Sequence, residues 1–147
     1  MDIRNCALSL VSRHETCNPF QIAKELGIIV IFAPLNKIRG FYQYVNRCHI
    51  IYINEDLDER GARFVCAHEL GHYFLHKDIN RIFMDNHTHF VMSRYEIEAD
   101  QFAAELLFDD WDLQEFLECP IATVAQCLGI DEKLARYRME TVVPTLW

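Results

Sequence analysis

The sequence predicts an α+β fold, in which a small three-stranded, largely antiparallel sheet packs against a bundle of helices. Residues 28–53 contain a β-branched run followed by a pattern typical of a hairpin. On both sides of this region, most of the apolar residues recur at helical spacing. Of the 147 residues, 51% are hydrophobic and 24% are charged, a composition typical of a globular protein rather than of a disordered chain. We therefore expect a single domain over residues 1–147.

The first third of the chain predicts two helices and the sheet. Asn18 has the residue type of an N-cap, Pro19 that of a first helical residue, and Gly27 that of a helix end. Asn46 and Arg47 separate two runs of strand-forming residues, which favours a tight hairpin turn. The predicted segments are a helix at 2–14, a helix at 18–27, and strands at 28–32, 40–45 and 48–53.

The rest of the chain predicts a largely helical C-terminal segment. Ser93, with Glu96 three residues later, has capping-box spacing, so a helix is expected to begin there. Gly129 separates the last two helices, which together have a helix-turn-helix-like rhythm within residues 120–140. The predicted segments are a helix at 57–77, a loop at 78–92, a helix at 93–108, a short acidic helix at 109–118, and helices at 120–128 and 131–140.

The most informative stretch is the pentapeptide HELGH at residues 68–72, inside the predicted helix at 57–77. Positions i and i+4 share one face of a helix, so His68 and His72 can direct two imidazoles at one metal ion. Glu69 lies about 100° around the helix from His68, where it can reach a water molecule without binding the metal. The HExxH pattern on a helix is typical of zinc peptidases, in which the glutamate is the general base.

A catalytic zinc site needs a third protein ligand, and Glu96 and Glu98 are the candidates. The two acids lie about 200° apart on a helix. Glu96 shares a face with small apolar residues suited to helix packing, whereas Glu98 shares its side with Gln101 and Glu105, a side that looks exposed to solvent. We therefore predict that Glu96 is the ligand and that Glu98 is a surface acid.

Asp100 lies one turn after Glu96, on the face that we expect to be buried. An isolated buried carboxylate is unfavourable, so Asp100 should have a partner. The far nitrogen of His68 or His72 is suitable, because a carboxylate in that position orients a metal-bound imidazole. The alternative is that Glu96 only caps its helix and that Asp100 is exposed.

Other polar residues are candidates for supporting roles. His76 lies near the end of the predicted helix, where we expect a polar cap, and Leu75 and Asp78 exclude the longer HExxHxxGxxH pattern. The six cysteines form no CxxC pair and are predicted to be reduced thiols. The candidates for contacts to an oxyanion or to the substrate, among which the sequence does not choose, are Tyr42, Tyr44, Tyr95, His87 and His89.

Because it has both the HELGH helix and the helix with Glu96 and Asp100, the chain resembles the ImmA/IrrE family of zinc metallopeptidases. The segments that carry the resemblance are 18–28, 40–42, 51–54, 63–76 and 96–107. The resemblance implies a zincin-like bundle of helices, Zn²⁺ as the cofactor and Glu69 as the catalytic residue. The zinc ligands that it implies are His68, His72 and Glu96. It also implies an endopeptidase that cleaves a helix-turn-helix repressor and so induces genes of phages or other mobile elements. The chain departs from many members in having Phe108-Asp109 where they have Met-Pro.

The charge of the chain limits its partners. A net charge of −8 and a pI near 5.3 disfavour direct nucleic-acid binding, because an acidic surface repels phosphate, and they favour two simply packed helices in residues 120–140. No signal-peptide pattern or membrane-length apolar run is present, so we expect a cytoplasmic protein without membrane contact. The alternative to a protease is a regulatory module that binds a repressor or toxin partner and whose metal serves structure only.

Overall fold

The structure is a computed structural model that describes residues 2–76 and 89–144, with side chains for all of these except residues 89–92. The helices are α1 (Ile3–His14), α2 (Pro19–Glu25), α3 (Glu59–Leu75), α4 (His89–Leu107), α5 (Asp110–Leu113), α6 (Ile121–Leu128) and α7 (Glu132–Thr141), with a 3-10 turn at Gln114–Phe116. The strands are β1 (Ile29–Ala33), β2 (Gly40–Val45) and β3 (Cys48–Asn54). The α+β class predicted from the sequence is confirmed.

The sheet is mixed, with strand order β1-β3-β2. β2 and β3 form the predicted antiparallel hairpin, and Asn46 and Arg47 have φ of 49° and 64° at its turn, as a tight hairpin requires. β1 joins the other edge of β3 in parallel, so "largely antiparallel" describes only one of the two pairings. The turn residues determine the hairpin, whereas the direction of β1 depends on how the chain packs.

Local capping explains where several helices begin. The Asn18 side chain accepts a hydrogen bond from the backbone N–H of Phe20, with Pro19 as the first helical residue, so the predicted start of α2 is confirmed. The predicted start at Ser93 is wrong, because α4 already begins at His89. An N-cap contributes only about 1 kcal/mol, which an extra turn of helix can outweigh. Of the predicted loop at 78–92, residues 78–88 lie outside the described residues.

The main core lies between the sheet, α1, α2, α3 and α4. Ile51 and Ile53 of β3, Leu70 of α3 and Phe102 of α4 belong to one hydrophobic cluster, and all four side chains are fully buried. Each such side chain stabilises the fold by about 1.5–3 kcal/mol relative to exposure. This core fixes α3 against α4, which are the two helices that carry HELGH and the candidate third ligand.

The C-terminal helices α6 and α7 pack around a smaller cluster formed by Val124, Ala125 and Ala135. Gly129 ends α6 in the left-handed conformation, with φ of 73°. The predicted acidic helix at 109–118 is shorter than expected and divides into α5 and the 3-10 turn. Within the described part of the chain, no helix combines the length and the apolar character needed to cross a bilayer. All six cysteines are free thiols, as predicted.

Candidate active site

Helix α3 presents His68 and His72 on one face. The helix begins at an N-cap, Asp58, whose carboxylate accepts the backbone N–H of Gly61 at 2.7 Å, and it continues without interruption past both histidines. Their ring centroids are 4.8 Å apart, as one helical turn requires. Glu69 is 6% exposed, and its carboxylate and one nitrogen of each histidine lie within 4.8 Å of one another.

Glu96 of α4 spans the two imidazoles. Its Oε2 lies 3.0 Å from Nε2 of His68, and its Oε1 lies 2.9 Å from Nε2 of His72. Hydrogen bonds from His68 and then His72 hold the pKa of Glu96 well below its usual value. The carboxylate side chain is 53% exposed, so one side of the cluster faces solvent.

Two nitrogens and one carboxylate that converge in this way suit a zinc ion. Ligands at about 2.1 Å from a tetrahedral ion lie roughly 3.4 Å from one another. Each oxygen of Glu96 lies somewhat closer than this to one histidine nitrogen, at 3.0 Å for Oε2 and 2.9 Å for Oε1. Two histidines and a glutamate form a ligand set known from catalytic zinc sites, which keep a fourth position open. The side chains of His68, His72 and Glu96 are therefore candidates for holding a metal ion, and the solvent-facing side gives access to it.

Asp100 lies behind His68. Its Oδ1 is 2.7 Å from Nδ1 of His68, so the structure chooses His68 over His72 among the two partners expected. Burial lowers the pKa of His68, but hydrogen bonds to Asp100 and Glu96 outweigh this effect and raise it to about 10. Asp100 thus accepts the Nδ1 proton and leaves Nε2 directed at the cluster, which is how a carboxylate orients a metal-binding imidazole.

Gly71 allows the two helices to approach closely at this point. A Cβ at Gly71 would lie 3.1 Å from Cα and 3.2 Å from the carbonyl oxygen of Ala99. Since those are backbone atoms of α4, a larger side chain would have to push the helices apart. The glycine inside HELGH therefore brings the acids of α4 within reach of the histidines of α3.

Glu98 is less exposed than the predicted surface acid, and His76 caps the end of α3 as predicted while its imidazole makes a further contact. Glu98 is not a free surface acid: its side chain is 30% exposed and its Oε1 lies 3.0 Å from Nε2 of His76. His76 does cap α3, but through its backbone N–H to the carbonyl of His72. Its side chain is 5% exposed, and the imidazole lies between His72 and Glu98. The signal that could have revealed this was the spacing of His68, His72 and His76 along one helix face.

The predicted packing face of α4 is partly right, because Ala99 and Ala103 are fully buried as expected, but the side chain of Glu96 on the same face is 53% exposed. The contact with α3 is centred on Ala99 and Phe102, so Glu96 and Glu98 flank it on opposite sides. Glu105, also expected on the solvent side, is 2% exposed and forms ion pairs with Arg4 and Arg138. Both errors come from choosing the buried face by residue type alone.

The candidates for oxyanion or substrate contacts lie in different surroundings. The hydroxyl of Tyr42 is hydrogen-bonded to Nδ1 of His49, and burial raises the pKa of Tyr42 to about 12. The ring of Tyr95 packs against the His76 ring at 4.6 Å. His87 lies outside the described residues, and the same holds for the side chain of His89.

Burial shapes the chemistry of Glu69. Desolvation raises its pKa, and the nearby positive charge of His68 and His72 only partly opposes this. A carboxylate with a raised pKa binds a proton more readily, as a general base requires. The side chains at this site are those of a metallopeptidase: two helix-borne histidines, a buried glutamate beside them and a carboxylate from a second helix.

Sequence comparison assigns the family. Residues 23–140 match the Peptidase_M78 family model, described as the IrrE N-terminal-like domain, and the chain belongs to this family. It is 37% identical over 139 residues to "Uncharacterized immunity region protein 2" of Bacillus phage phi105, covering 92% of this chain and 88% of the relative. It is 34% identical over 117 residues to "Metallopeptidase ImmA" of Bacillus subtilis (strain 168), covering 78% of this chain and 68% of that protein. A metallopeptidase family implies a bound metal ion and a protein substrate.

Proposed function

We propose that this chain is a zinc-dependent endopeptidase that cleaves a helix-turn-helix repressor or a similar regulatory protein. The observation that carries the proposal is the convergence of His68, His72 and Glu96, with Nε2···O separations of 3.0 and 2.9 Å, beside the buried Glu69. In this proposal the first three residues are zinc ligands, Glu69 is the general base and Asp100 orients His68.

The side chains divide the chemistry of peptide hydrolysis among them. Zinc, when bound, would acidify water to a pKa of about 7 and polarise the scissile carbonyl. Glu69 accepts the proton of the attacking water and later delivers it to the leaving amine. Its burial supports this role because a desolvated carboxylate has a higher proton affinity. Asp100 keeps the Nδ1 proton on His68, so Nε2 stays available as a ligand.

The substrate class is supported by the relatives and by the acidic charge of the chain. One relative is named for an immunity region of a phage, and the other is named as a metallopeptidase. A net charge of −8 suits a basic protein substrate such as a DNA-binding repressor. β2 lies at an edge of the sheet and offers backbone groups on which an extended substrate could pair as an added strand.

Direct DNA binding by α6 and α7 is less well supported. Arg138, one of two arginines in α7, is 1% exposed and pairs with Glu105 and Asp110, so it cannot reach a phosphate. Arg136 is exposed but is accompanied on α7 by Glu132 and Glu140. These contacts favour a structural role for the helical pair.

The decisive test is Glu69→Gln. We expect this variant to bind one zinc ion like the wild type and to cleave the repressor encoded beside its gene at least about 100-fold more slowly, since general-base catalysis contributes 10²–10⁴-fold. Cleavage would be followed by electrophoresis and mass spectrometry, and bound zinc by elemental analysis.

The matched control is Glu59→Gln, the same change at an exposed position in the first turn of α3, which should cleave at the wild-type rate. Undiminished cleavage by Glu69→Gln would contradict the proposed mechanism. Zinc binding without cleavage by the wild type, together with tight binding of the intact repressor, would instead support the alternative of a regulatory module.

A further inference from the structure

We propose that His76 and Glu98 form a positioning relay that orients His72 as a metal ligand. This inference rests on the proposed zinc site. The relay consists of two contacts: Nδ1 of His72 lies 2.9 Å from Nδ1 of His76, and Nε2 of His76 lies 3.0 Å from Oε1 of Glu98. Both separations are ordinary hydrogen-bond distances.

The arrangement of nitrogens determines which atoms carry protons. Two Nδ1 atoms that face each other need one proton between them, so one donates and the other accepts. If Nε2 of His72 binds the metal, the proton of His72 must be on Nδ1, and Nδ1 of His76 is the acceptor. The proton of His76 is then on Nε2 and is donated to the carboxylate of Glu98. Every nitrogen in the relay has a defined role with all groups in their ordinary charge states.

The relay parallels the contact behind His68. His68 donates its Nδ1 proton directly to Asp100 at 2.7 Å, whereas His72 reaches a carboxylate through one intervening imidazole. Both carboxylates come from α4, two residues apart. The outer nitrogen of a metal-binding histidine needs such a partner to fix its tautomer and ring direction, and the relay supplies one for His72.

A role in ending the helix does not account for the imidazole of His76. The backbone N–H of His76 already bonds to the carbonyl of His72 at 2.9 Å, and any residue other than proline would provide that bond. The side chain is instead 5% exposed and packs against the ring of Tyr95. A polar ring is costly to bury unless both nitrogens are hydrogen-bonded, and here both are.

The test is zinc affinity, measured by competition with a chromophoric chelator on metal-free protein. His76→Phe keeps the ring packed against Tyr95 but removes both nitrogens, and we expect about 10–100-fold weaker zinc binding, as for other partners of metal-binding histidines. His76→Gln offers an acceptor and a donor again and should recover part of the loss. A purely structural role would not distinguish Phe from Gln in this way.

His14→Phe is the matched control. His14 is also a largely buried histidine, 9% exposed, with a glutamate partner, Glu25, at 2.9 Å, but it lies on α1. We expect its variant to bind zinc like the wild type. Glu98→Gln leaves His76 in place and should weaken zinc binding by at least about threefold, less than complete loss of the relay, so it carries the test if His76→Phe does not fold.

Two outcomes would overturn different parts of the argument. Tight zinc binding by the wild type with unchanged affinity in both His76→Phe and Glu98→Gln would refute the relay and leave the proposed function intact. Zinc binding by the wild type no tighter than that of Glu96→Ala would refute the proposed metal site itself, and the relay with it.

Discussion

Helix α4 uses its acids in two different ways along its length. Near its start, Glu96, Glu98 and Asp100 face histidines, and their side chains are 53%, 30% and 37% exposed. Near its end, the side chain of Glu105 is fully buried and faces Arg4 and Arg138 at 2.9 and 3.4 Å. An imidazole can exchange its proton for a metal, whereas a guanidinium stays protonated.

The two acid–base clusters therefore differ in purpose. We call the cluster around Glu105 the buried end of α4 and the cluster around Glu96 the exposed end. At the buried end, Arg138 also donates hydrogen bonds to the backbone carbonyls of Ala104 and Phe108 and to Asp110, which ties α7 to α4. At the exposed end the same helix leaves a carboxylate open to solvent. We infer that charge at the buried end maintains the fold and that charge at the exposed end is available for chemistry.

The largest effect should follow from breaking the buried end. Arg138→Met leaves the carboxylate of Glu105 buried with fewer partners, and we expect the free energy of unfolding to fall by about 3–5 kcal/mol. Chemical denaturation would measure this. Zinc affinity of the folded variant should be unchanged, and Arg136→Met, an exposed change on the same helix, should alter stability by no more than about 0.5 kcal/mol.

Breaking the exposed end should give the reverse pattern. Glu96→Ala removes a proposed ligand, so we expect zinc affinity to fall by more than the roughly 100-fold that losing an outer partner costs. Its side chain is half exposed, so solvent screening limits what its hydrogen bonds to the two histidines contribute, and the stability of the metal-free protein should fall by no more than about 1 kcal/mol. A variant that kept its zinc affinity would show that Glu96 is not a ligand.

Gly71→Ala tests the contact between α3 and α4, which lies between the exposed and the buried end of α4. The added Cβ would crowd the backbone of Ala99; overpacking costs about 1–3 kcal/mol, partly offset by about 1 kcal/mol of helix propensity. We expect a net loss of about 1 kcal/mol in stability and weaker zinc binding. Gly61→Ala in the same helix is the control. The atoms nearest to its added Cβ belong to the side chains of Leu57 and Asp58 and not to α4, so this variant should not weaken zinc binding.

The smallest effect is an acid-dependent loss of stability at the buried end. Burial disfavours the charged form of Asp110, but hydrogen bonds from Arg4 and Arg138 outweigh this and lower its pKa. Since the folded-state pKa lies below the unfolded-state value of about 3.9, the carboxylate stabilises the fold above that value, and this contribution disappears as the pH falls through the folded-state pKa.

Denaturant titrations at several acidic pH values would measure this loss. Asp110→Asn should be less stable than the wild type at neutral pH, and the difference should shrink in acid. A constant difference between the two proteins at all pH values would contradict the assignment to Asp110.

Features with a short-range cause could be predicted from the sequence. The i, i+4 spacing placed His68 and His72 on one face, and the side chain of Asn18 marked the start of α2. The 40° separation of Glu96 and Asp100 on a helix, about one turn apart, placed these two acids on nearly the same side of α4. Their roles as ligand and orienting acid stay predictions for the metal-binding measurements.

Features that depend on how one element faces another could not be predicted in this way. A helical wheel gives the angles between Glu96, Glu98 and Glu105 around α4, but it does not show which face of α4 contacts α3. Glu98 and Glu105 were therefore both assigned to solvent. The direction of β1 in the sheet was open for the same reason.

By itself, the sequence determined most of the elements, the α+β class and the two imidazoles with the glutamate between them, because spacing along a helix acts over a few residues. Only the tertiary structure decided that α3 and α4 meet at Gly71 and Ala99. That contact selects which carboxylates reach the histidines, because the rotation of one packed helix relative to another depends on the fit of the whole core.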